Sequence, residues 1–355
     1  MNISDLIQGN IRITAPDKGI YDAVKSSWDS VAKPLDSLGV FEQVICRIGA
    51  IQRTAKPRIK NRVILVFCSD NGIVAEGVSQ SGQEVTLAVA RSMGKNRSSV
   101  GRMGKTCGVN VICADVGINS MEKIPGVRDL KVACGTKDFA VESAMSEEEA
   151  VRALNAGFKL ACECREKGMD VIGIGEMGIG NTTTSAAVAA SLLNMDAAEI
   201  TGRGAGLSDS GLDRKITVIN SAIEKYDLYR AAPFEVLRHV GGFDIAAMAG
   251  AIAGAACNNI PVVLDGAISM AAALLAERLF PGSKDYLIAS HISREPLART
   301  VIDELGLRGI IDADMALGEG SGAVMLFPLL DAAMSVFDEQ TTFGDIEIAP
   351  YRRWI

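Results

Sequence analysis

Histidine, paired cysteines and aromatic residues are scarce in this chain of 355 residues. With only His239 and His291, and no C-x-x-C pair among eight cysteines, no metal site is expected. Most of the cysteines stand in apolar surroundings, which is typical of reduced thiols in a protein core. Aromatic residues make up 5%, too few for the filling that a β-sandwich needs, so that fold class is disfavoured.

Runs of Lys and Arg are also missing, and the formal net charge is −7. A general nucleic-acid binder neutralises phosphates with clustered cations, and a membrane surface attracts similar patches, so neither partner is expected. Residues 1–16 lack the basic start and apolar core of a signal peptide. The longest apolar run, 245–257, ends at Asn258 and Asn259 and is too short to span a bilayer. We therefore expect a cytoplasmic protein.

Apolar runs and helical patterns alternate through most of the chain, after a start that reads as helices over 21–31 and 41–54. Buried strands are predicted at 63–68, 109–114, 170–174, 260–264 and 286–289. Helices are predicted between and after them, at 84–93, 146–167, 182–193, 211–226, 244–257, 268–279 and 321–337. This order predicts an α/β fold, a Rossmann-like parallel sheet covered by helices on both faces.

Polar, Gly-rich loops follow nearly all of the predicted strands. They lie at 69–72, 114–117, 175–183, 265–266 and 290–291. In open parallel sheets ligands bind outside the carboxyl ends of the strands, so these five loops are the candidates for the active site.

Gly173, Gly175 and Gly178 satisfy the pattern G-x-G-x-x-G between a strand and a helix, which taken alone is a weak dinucleotide signal. A dinucleotide site also needs an acidic residue at the end of the next strand. Asp196 stands at a suitable distance, but no apolar strand precedes it. We therefore disfavour a nicotinamide-dependent oxidoreductase.

The loop 175–180 still has the composition of an anion site, because its glycines leave successive backbone N–H groups uncovered. Asn181 and Thr182 add polar side chains at the start of the following helix. No Gly-Lys-Ser/Thr follows, so a monophosphate fits better than a nucleoside triphosphate. A second Gly-rich segment, 201–215, ends in Lys215, which either supplies a cation to that phosphate or is simply solvated. The bland alternative for 175–180 is a tight turn.

Two glutamates occupy loops of the same kind. Glu319 has a glycine on each side, and Glu176 lies in the loop 175–180. Carboxylates at one edge of a sheet can perform acid/base chemistry or stabilise a cation. The alternative is that each is a turn or helix-cap residue.

Nine segments of the sequence together resemble the nicotinate-nucleotide–dimethylbenzimidazole phosphoribosyltransferase family. They are KPLDSLG (33–39), GVSQSGQEVT (77–86), KVACGTKDFA (131–140), GEMGIGNTT (175–183), GRGAGL…RK (202–215), GGFDIAAMAGAIAGAA (241–256), IPVVLDGAIS (260–269), ASHIS.EP (289–296) and LGEGSGA (317–323). The resemblance implies phosphoribosyl transfer from nicotinate mononucleotide to a cobamide lower-ligand base such as 5,6-dimethylbenzimidazole, with no cofactor. It further implies an α/β domain over 60–320, a small helical domain from 1–59 with 321–355, and a homodimer.

The resemblance also assigns roles to residues. Glu319 would be the general base, with Glu176 in the same active site. The nucleotide phosphate would be held by Gly178, Gly204 and Lys215. The composition of the loop and helix start adds Gly180, Asn181 and Thr182 to the predicted phosphate site. The acceptor base would be bound by Ser79, Gln83 and Leu317.

Two segments depart from the family pattern. Asn71 follows Asp70 where the family commonly has histidine, and an amide cannot titrate near neutral pH. Ser81-Gly82 stands where the family commonly has Tyr-Pro beside the acceptor, so the acceptor could be a purine, a benzimidazole or a phenol. A heterodimer, in which this chain is a non-catalytic or co-catalytic subunit beside a sister enzyme, also stays open.

Overall fold

Parallel strands form the centre of the molecule, in a computed structural model that describes residues 7–9 and 12–353. In chain order the strands are β1 (Arg62–Ser69), β2 (Asn110–Gly117), β3 (Arg128–Asp129), β4 (Val171–Met177), β5 (Val262–Leu264), β6 (Leu287–Ala289), β7 (His291–Ile292) and β8 (Ile311–Asp312). The first six make one sheet in the order β3-β2-β1-β4-β5-β6, with every neighbouring pair parallel. This is the strand order of the Rossmann fold, so the predicted fold class is confirmed.

All five predicted strands are present, with bounds that differ by at most three residues. Strand β3 and the separate parallel pair β7–β8 were not predicted. Each is two residues long, and a run that short carries no hydrophobic periodicity. Their pairing depends on neighbours that the sequence alone does not place.

Helices cover the sheet and contribute both chain ends. They are α1 (Lys18–Ser30), α2 (Val40–Gln52), α3 (Glu84–Gly94), α4 (Ser99–Thr106), α5 (Glu147–Glu166), α6 (Asn181–Leu193), α7 (Ala197–Ile200), α8 (Asp209–Lys225), α9 (Pro233–Val240), α10 (Phe243–Cys257), α11 (Ala267–Leu279), α12 (Pro296–Glu304) and α13 (Ser321–Asp338). Short 3-10 helices lie at Gly72–Glu76, Leu228–Arg230 and Ser283–Tyr286.

The nine predicted helices are all observed, whereas α4, α7, α9 and α12 were not predicted. These four have nine residues or fewer, about two turns, so their apolar residues recur too few times to define a face. Helix α4 also holds two glycines, which lower helix propensity. The backbone N–H of Val100, in its first turn, nevertheless donates a hydrogen bond to Glu319.

Helices α5 and α10 cross at unusually close range beside the sheet. A Cβ added at Gly157 of α5 would collide with the carbonyl oxygen of Ala247 on α10. A Cβ at Gly250 of α10 would in turn collide with the carbonyl oxygen of Leu154. These two glycines therefore serve helix packing, because the two backbones can touch only where side chains are absent.

Helices α1, α2 and α13 lie together on one face of the sheet. Their apolar side chains form one cluster with Ile64, Val66 and Cys68 of β1. The chain ends are joined further by a bridge between Val31 and Thr342. The predicted division at residues 60 and 320 stays a prediction, and residues 1–6, 10, 11, 354 and 355 of the predicted helical unit lie outside the described residues.

Among the described residues, α13 is the one helix long and apolar enough to cross a membrane by length and composition. In this fold it packs as a core helix, and 56% of the apolar window is buried. Leu326, Phe327 and Leu330 are fully buried against the sheet.

Candidate active site

A cleft of about 240 Å³ opens at the carboxyl ends of β4, β5 and β6. It is lined by residues of four segments, 176–182, 204–205, 265–269 and 291–295, together with 316–319 before α13. Larger hollows occur elsewhere on the described surface, but the polar loops at the strand ends meet in this cleft. It lies beside the β1–β4 boundary, where the strand order reverses and where open α/β sheets bind their ligands.

The glycines of the G-x-G-x-x-G pattern make room for other parts of the protein. A Cβ at Gly175 would lie 2.6 Å from the carbonyl carbon of Glu319, so the loop before α13 rests directly on β4. A Cβ at Gly178 would collide with the carbonyl oxygen of Ser69 at the end of β1. These close approaches explain the pattern without a dinucleotide, in agreement with the sequence analysis.

Glu176, at the end of β4, is buried in the cleft among other carboxylates. The side-chain amide of Asn181 donates hydrogen bonds to Glu176 Oε2 and, at 3.3 Å, to Asp244 Oδ2. Burial, followed by the negative charges of Asp244 and Asp265, raises the pKa of Glu176 to about 8. Burial likewise raises the pKa of Asp244 to about 6. At neutral pH Glu176 is therefore mostly protonated, while Asp244 is mostly ionised.

Lys215 of α8 is fully buried and reaches the start of α6. Its Nζ donates to Thr182 Oγ1 at 2.9 Å and to the carbonyl oxygen of Gly202 at 3.1 Å. Burial lowers the pKa of Lys215 to about 8, opposed by the negative charge of Glu295. The structure thus brings Lys215 to Thr182, 33 residues away in the chain, and places a cation at the start of α6.

The two Gly-rich loops meet at this lysine. Gly180, with a φ of 92°, is the N-cap of α6, so its left-handed backbone turns the loop into the helix. Gly204 lies against Thr182, since an added Cβ would be 2.8 Å from Thr182 Oγ1. Its own N–H donates to Glu295 Oε1 at 3.1 Å. The backbone N–H of Gly204, one of the groups predicted to bind phosphate, therefore already donates to the carboxylate of Glu295.

Glu319 stands on a backbone that is unusual for a residue with a side chain. Its φ is 63°, and the flanking Gly318 and Gly320 have φ of 84° and 86°. Three successive left-handed residues give a sharp turn that only glycine adopts readily, so the conformation of Glu319 costs energy. Such strain is found where the surrounding fold must deliver one side chain to a fixed place.

The carboxylate of Glu319 faces both the cleft and the N-terminus of α4. Its Oε2 accepts a hydrogen bond of 3.0 Å from the backbone N–H of Val100. Burial raises the pKa of Glu319, with a further rise from the charge of Asp265, against the lowering by the bonds from Val100 and Ser98. Glu176 lies next to this turn, because a Cβ on Gly318 would be 2.9 Å from Glu176 Oε1. The two predicted glutamates therefore share one site.

Asp265 follows β5, and its carboxylate binds the backbone of the turn that contains Glu319. Its Oδ2 accepts from the N–H of Gly320 at 2.9 Å, and its Oδ1 accepts from the N–H of Gly322 at 2.6 Å. The side chain is almost completely buried. The sequence analysis had marked the loop 265–266 but had not selected this residue, and its position directly after a strand was the available signal.

The three predicted acceptor residues are not brought together in the cleft. Leu317 lines it, whereas Ser79 and Gln83 are not among the lining residues. Gln83 Nε2 donates to the carbonyl oxygen of Asn71, and Asn71 Nδ2 donates to that of Ile179, which does line the cleft. Through Asn71, Gln83 is therefore connected to the loop that lines the cleft.

Comparisons with known proteins identify the family of this chain. A family profile described as Phosphoribosyltransferase matches residues 13–348. The nicotinate-nucleotide–dimethylbenzimidazole phosphoribosyltransferase of Ruminiclostridium cellulolyticum is 39% identical over 324 residues, covering 91% of this chain and 92% of the relative. The protein of the same name from Clostridium acetobutylicum is 37% identical over 352 residues, covering 99% of each.

Solved structures give the same result. The crystal structure of CobT from Thermus thermophilus superposes with a TM-score of 0.88 at 36% sequence identity, covering 93% of this chain and 99% of that one. A second Thermus thermophilus structure, bearing the family's enzyme name, also has a TM-score of 0.88, at 35% identity. The chain therefore belongs to the nicotinate-nucleotide–dimethylbenzimidazole phosphoribosyltransferase family, as its sequence motifs predicted, and is a pentosyltransferase.

Proposed function

We propose that this enzyme transfers the phosphoribosyl group of nicotinate mononucleotide to a cobamide lower-ligand base and releases nicotinate. The observation that carries the proposal is the placement of Glu319, Glu176 and the pair Lys215–Thr182 around one cleft at the carboxyl edge of the sheet. Relatives of the same length bear the name of this reaction.

The phosphate of the donor binds at the junction of the two Gly-rich loops. Lys215 Nζ supplies a positive charge, and Thr182 and the N-terminus of α6 supply hydrogen-bond donors and the favourable end of the helix dipole. Gly178 lines the cleft next to this junction, and Gly204 supplies a backbone N–H. The ribose then points along the cleft toward the glutamates.

The enzyme does not need to protonate the leaving group in this reaction. The nicotinate ring of the donor is a pyridinium, so breaking its bond to the ribose carbon releases a neutral ring nitrogen without a general acid. The sugar carbon becomes oxocarbenium-like, and the base nitrogen attacks it from the opposite face. Glu319 takes the proton that the attacking nitrogen must lose. Positioning the two rings supplies most of the remaining rate enhancement.

Glu319 and Glu176 have different roles in this proposal because they have different protonation states. Glu319 acts in its ionised form as the general base and as a negative charge near the developing cation. Glu176 is neutral at pH 7 because burial raises its pKa to about 8, and a protonated carboxyl can donate a hydrogen bond to the substrate. Environments that separate the protonation states of two carboxyls are typical of acid/base sites.

The acceptor end of the cleft is completed by a second chain in this proposal. Met325, Leu329, Ala332 and Val336 form a stripe at helical spacing on the exposed side of α13, and the first two are 46% and 42% exposed. An apolar stripe on a surface helix is typical of a protein interface. We assign it to a second copy, so that the enzyme is a homodimer in the cytoplasm.

The dimer is tested by light scattering on the purified chain and on Leu329→Glu. We expect a dimer for the wild type and a monomer for the variant, with Glu339→Gln beyond the helix as a control that stays dimeric. A wild-type chain that is monomeric at micromolar concentration, and dimerises only with a sister chain, would replace the homodimer by the heterodimer alternative.

The reaction is tested by incubating the pure protein with nicotinate mononucleotide and each of 5,6-dimethylbenzimidazole, adenine and a phenol. Mass spectrometry of the products should show one ribosylated acceptor and an equal amount of nicotinate. Absence of nicotinate release with every acceptor would overturn the proposal. Turnover that begins only when a sister chain is added would instead assign this chain a co-catalytic role.

A further inference from the structure

The carboxylate of Asp265 spans the start of α13 at the point where Glu319 leaves the turn. It accepts two backbone hydrogen bonds, from Gly320 at 2.9 Å and from Gly322 at 2.6 Å. Gly320 is directly attached to Glu319, so any movement of this N–H also moves the Cα of the glutamate. Because Asp265 is itself fixed at the end of β5, it connects the rigid sheet to the turn.

The turn would not hold its shape without such an anchor. Glu319 has a φ of 63° between two glycines that also have positive φ, and glycine-rich backbone has many alternatives of similar energy. The N-terminal N–H groups of α13 need acceptors, and Gly320 contributes no capping side chain. One carboxylate, from the loop after β5, satisfies two of these N–H groups and at the same time restrains the strained residue.

We infer that Asp265 is a positioning residue for the general base: it holds the 318–320 turn so that the carboxylate of Glu319 meets the acceptor nitrogen in reactive geometry. The inference rests on the proposed function, because it takes Glu319 as the base. Asp265 makes no contact with the reacting atoms in this role. Its effect passes through the backbone of Gly320 and through its charge.

The charge provides a readout that a structural role alone would not give. Asp265 raises the pKa of Glu319, while the N–H of Val100 and the hydroxyl of Ser98, both at the start of α4, lower it. The other titratable groups around the cleft include Glu176 across the turn, its neighbour Asp244, Glu295, and His291, which faces Asp265. Neutralising Asp265 should therefore lower the pKa of Glu319 and shift the acid limb of the kcat/KM profile to lower pH.

The principal experiment compares Asp265→Asn with the wild type under saturating acceptor. Asparagine keeps one acceptor oxygen and loses the charge and the second acceptor. We expect kcat to fall by about 10–100-fold, the size of effect that a small misplacement produces, with little change in KM for nicotinate mononucleotide. The matched control is Asp17→Asn, which removes a carboxylate that accepts from Ile20 N–H at the start of α1, far from the cleft. It should leave kcat and the pH profile unchanged.

A double-mutant cycle with Glu319→Gln decides whether Asp265 acts through the base. If it does, Asp265→Asn should cost less than about threefold once Glu319 is already glutamine, because the two changes remove the same interaction. Independent, multiplicative losses would overturn this inference and leave the proposed function standing. A Glu319→Gln enzyme with wild-type kcat would overturn the base assignment itself, and the inference with it.

Asp265 is buried, so its replacement by asparagine could reduce the amount of folded protein. Donor binding measured by calorimetry and the near-UV circular dichroism report the folded fraction directly. If that variant does not fold, Asp265→Glu keeps the charge and both oxygens but displaces them by one methylene. For Asp265→Glu we expect kcat to fall, while the acid limb of the kcat/KM profile stays at the pH of the wild type. A variant that folds, binds the donor and keeps wild-type kcat would contradict a positioning role.

Discussion

The carboxylate of Glu295 accepts a hydrogen bond of 3.1 Å from the backbone N–H of Gly204, at the place predicted to bind the donor phosphate. Glu295 is also the charged group that opposes the lowering of the pKa of Lys215. A buried ammonium needs a counter-charge, and this carboxylate supplies negative charge nearby. If the donor phosphate binds here as proposed, it would compete with Glu295 for the same N–H and the same cation.

Removing the charge of Glu295 should strengthen donor binding. For Glu295→Gln we expect the Kd of nicotinate mononucleotide to fall by about fivefold, the equivalent of one exchanged hydrogen bond of ~1 kcal/mol. Isothermal titration calorimetry measures the change, and nicotinate riboside, which has no phosphate, is the control ligand whose Kd should not change. Weaker binding of both ligands would show that Glu295 supports the loop and does not compete with phosphate.

Glu319→Gln should fold normally and lose most of the transferase activity. Removing a general base costs typically ~10²–10⁴-fold in rate, and the amide keeps the shape of the side chain. The measurement is kcat at saturating donor and acceptor, with thermal unfolding as the check on folding. Activity within about threefold of the wild type would contradict the assignment of the base.

Lys215→Ala should chiefly weaken donor binding. A contact with a phosphate remote from the reacting carbon is made equally in the ground state and the transition state, so KM should rise more than kcat falls. Loss of a charge-assisted hydrogen bond of about 1.5–3 kcal/mol corresponds to about 10–100-fold in KM. Nicotinate riboside should be affected much less, and equal losses for both donors would contradict the phosphate role.

The pKa of Lys215 gives this prediction a pH dependence. Burial lowers that pKa to about 8 in the free enzyme, so the positive charge is present below this pH and lost as the pH rises through it. The ratio of the Kd of nicotinate riboside to that of nicotinate mononucleotide should therefore decrease between about pH 7 and about pH 10. In Lys215→Arg the ratio should stay constant, because arginine keeps its charge over this range.

Strands, loops and single residues that depend on the local sequence pattern could be predicted from the sequence. The strand β1 is a continuous apolar run, the loop 175–183 follows another, and both were predicted within a few residues. Lys215 was selected because of its Gly-rich neighbourhood, and it does reach Thr182. Patterns of this kind record burial and turns, which each segment expresses in its own composition.

Contacts between distant segments were not predictable in the same way. Asp265 bonds to Gly320, 55 residues later, and Glu295 bonds to Gly204, 91 residues earlier. Nothing in the composition around either acid shows which N–H it will meet, since that depends on the strand order. The residues that orient the site therefore emerged only from the structure, whereas the residues that were selected lie in segments with recognisable glycines.

Gly157→Ala tests the close crossing of α5 and α10. Alanine normally favours a helix by about 1 kcal/mol over glycine, but here its Cβ would collide with the carbonyl oxygen of Ala247. Overpacking typically costs about 1–3 kcal/mol, so we expect a net decrease in the free energy of unfolding measured by urea denaturation. The control is Lys159→Ala, an exposed position of the same helix, which should stay within about 0.5 kcal/mol. A stabilised Gly157→Ala protein would show that the helices are farther apart.

The last prediction concerns the segment 79–83, where Ser81-Gly82 stands in place of the Tyr-Pro common in the family. Gln80 Nε2 donates to the carbonyl oxygen of Gly206, and Asn119 donates to Gln83 Oε1 at 2.8 Å, so the segment is held beside the nucleotide loops. A Tyr-Pro pair would present rigid apolar surface to the two methyl groups of dimethylbenzimidazole. Each methyl group that loses apolar contact gives up ~0.8 kcal/mol of binding free energy. With two methyl groups, the preference of this enzyme for dimethylbenzimidazole should be about tenfold weaker than that of a Tyr-Pro relative.

Direct competition between 5,6-dimethylbenzimidazole and adenine or a phenol measures this preference. We expect the double substitution Ser81→Tyr with Gly82→Pro to shift the product ratio toward dimethylbenzimidazole by about tenfold. A Cβ at Gly82 would meet the end of the exposed Glu84 side chain, which can move. Suppose instead that the wild type prefers dimethylbenzimidazole by more than about a hundredfold, and that the double substitution leaves this ratio unchanged. The acceptor would then be chosen elsewhere, at Leu317 or by residues of a second chain, because 79–83 would only support the wall behind the cleft.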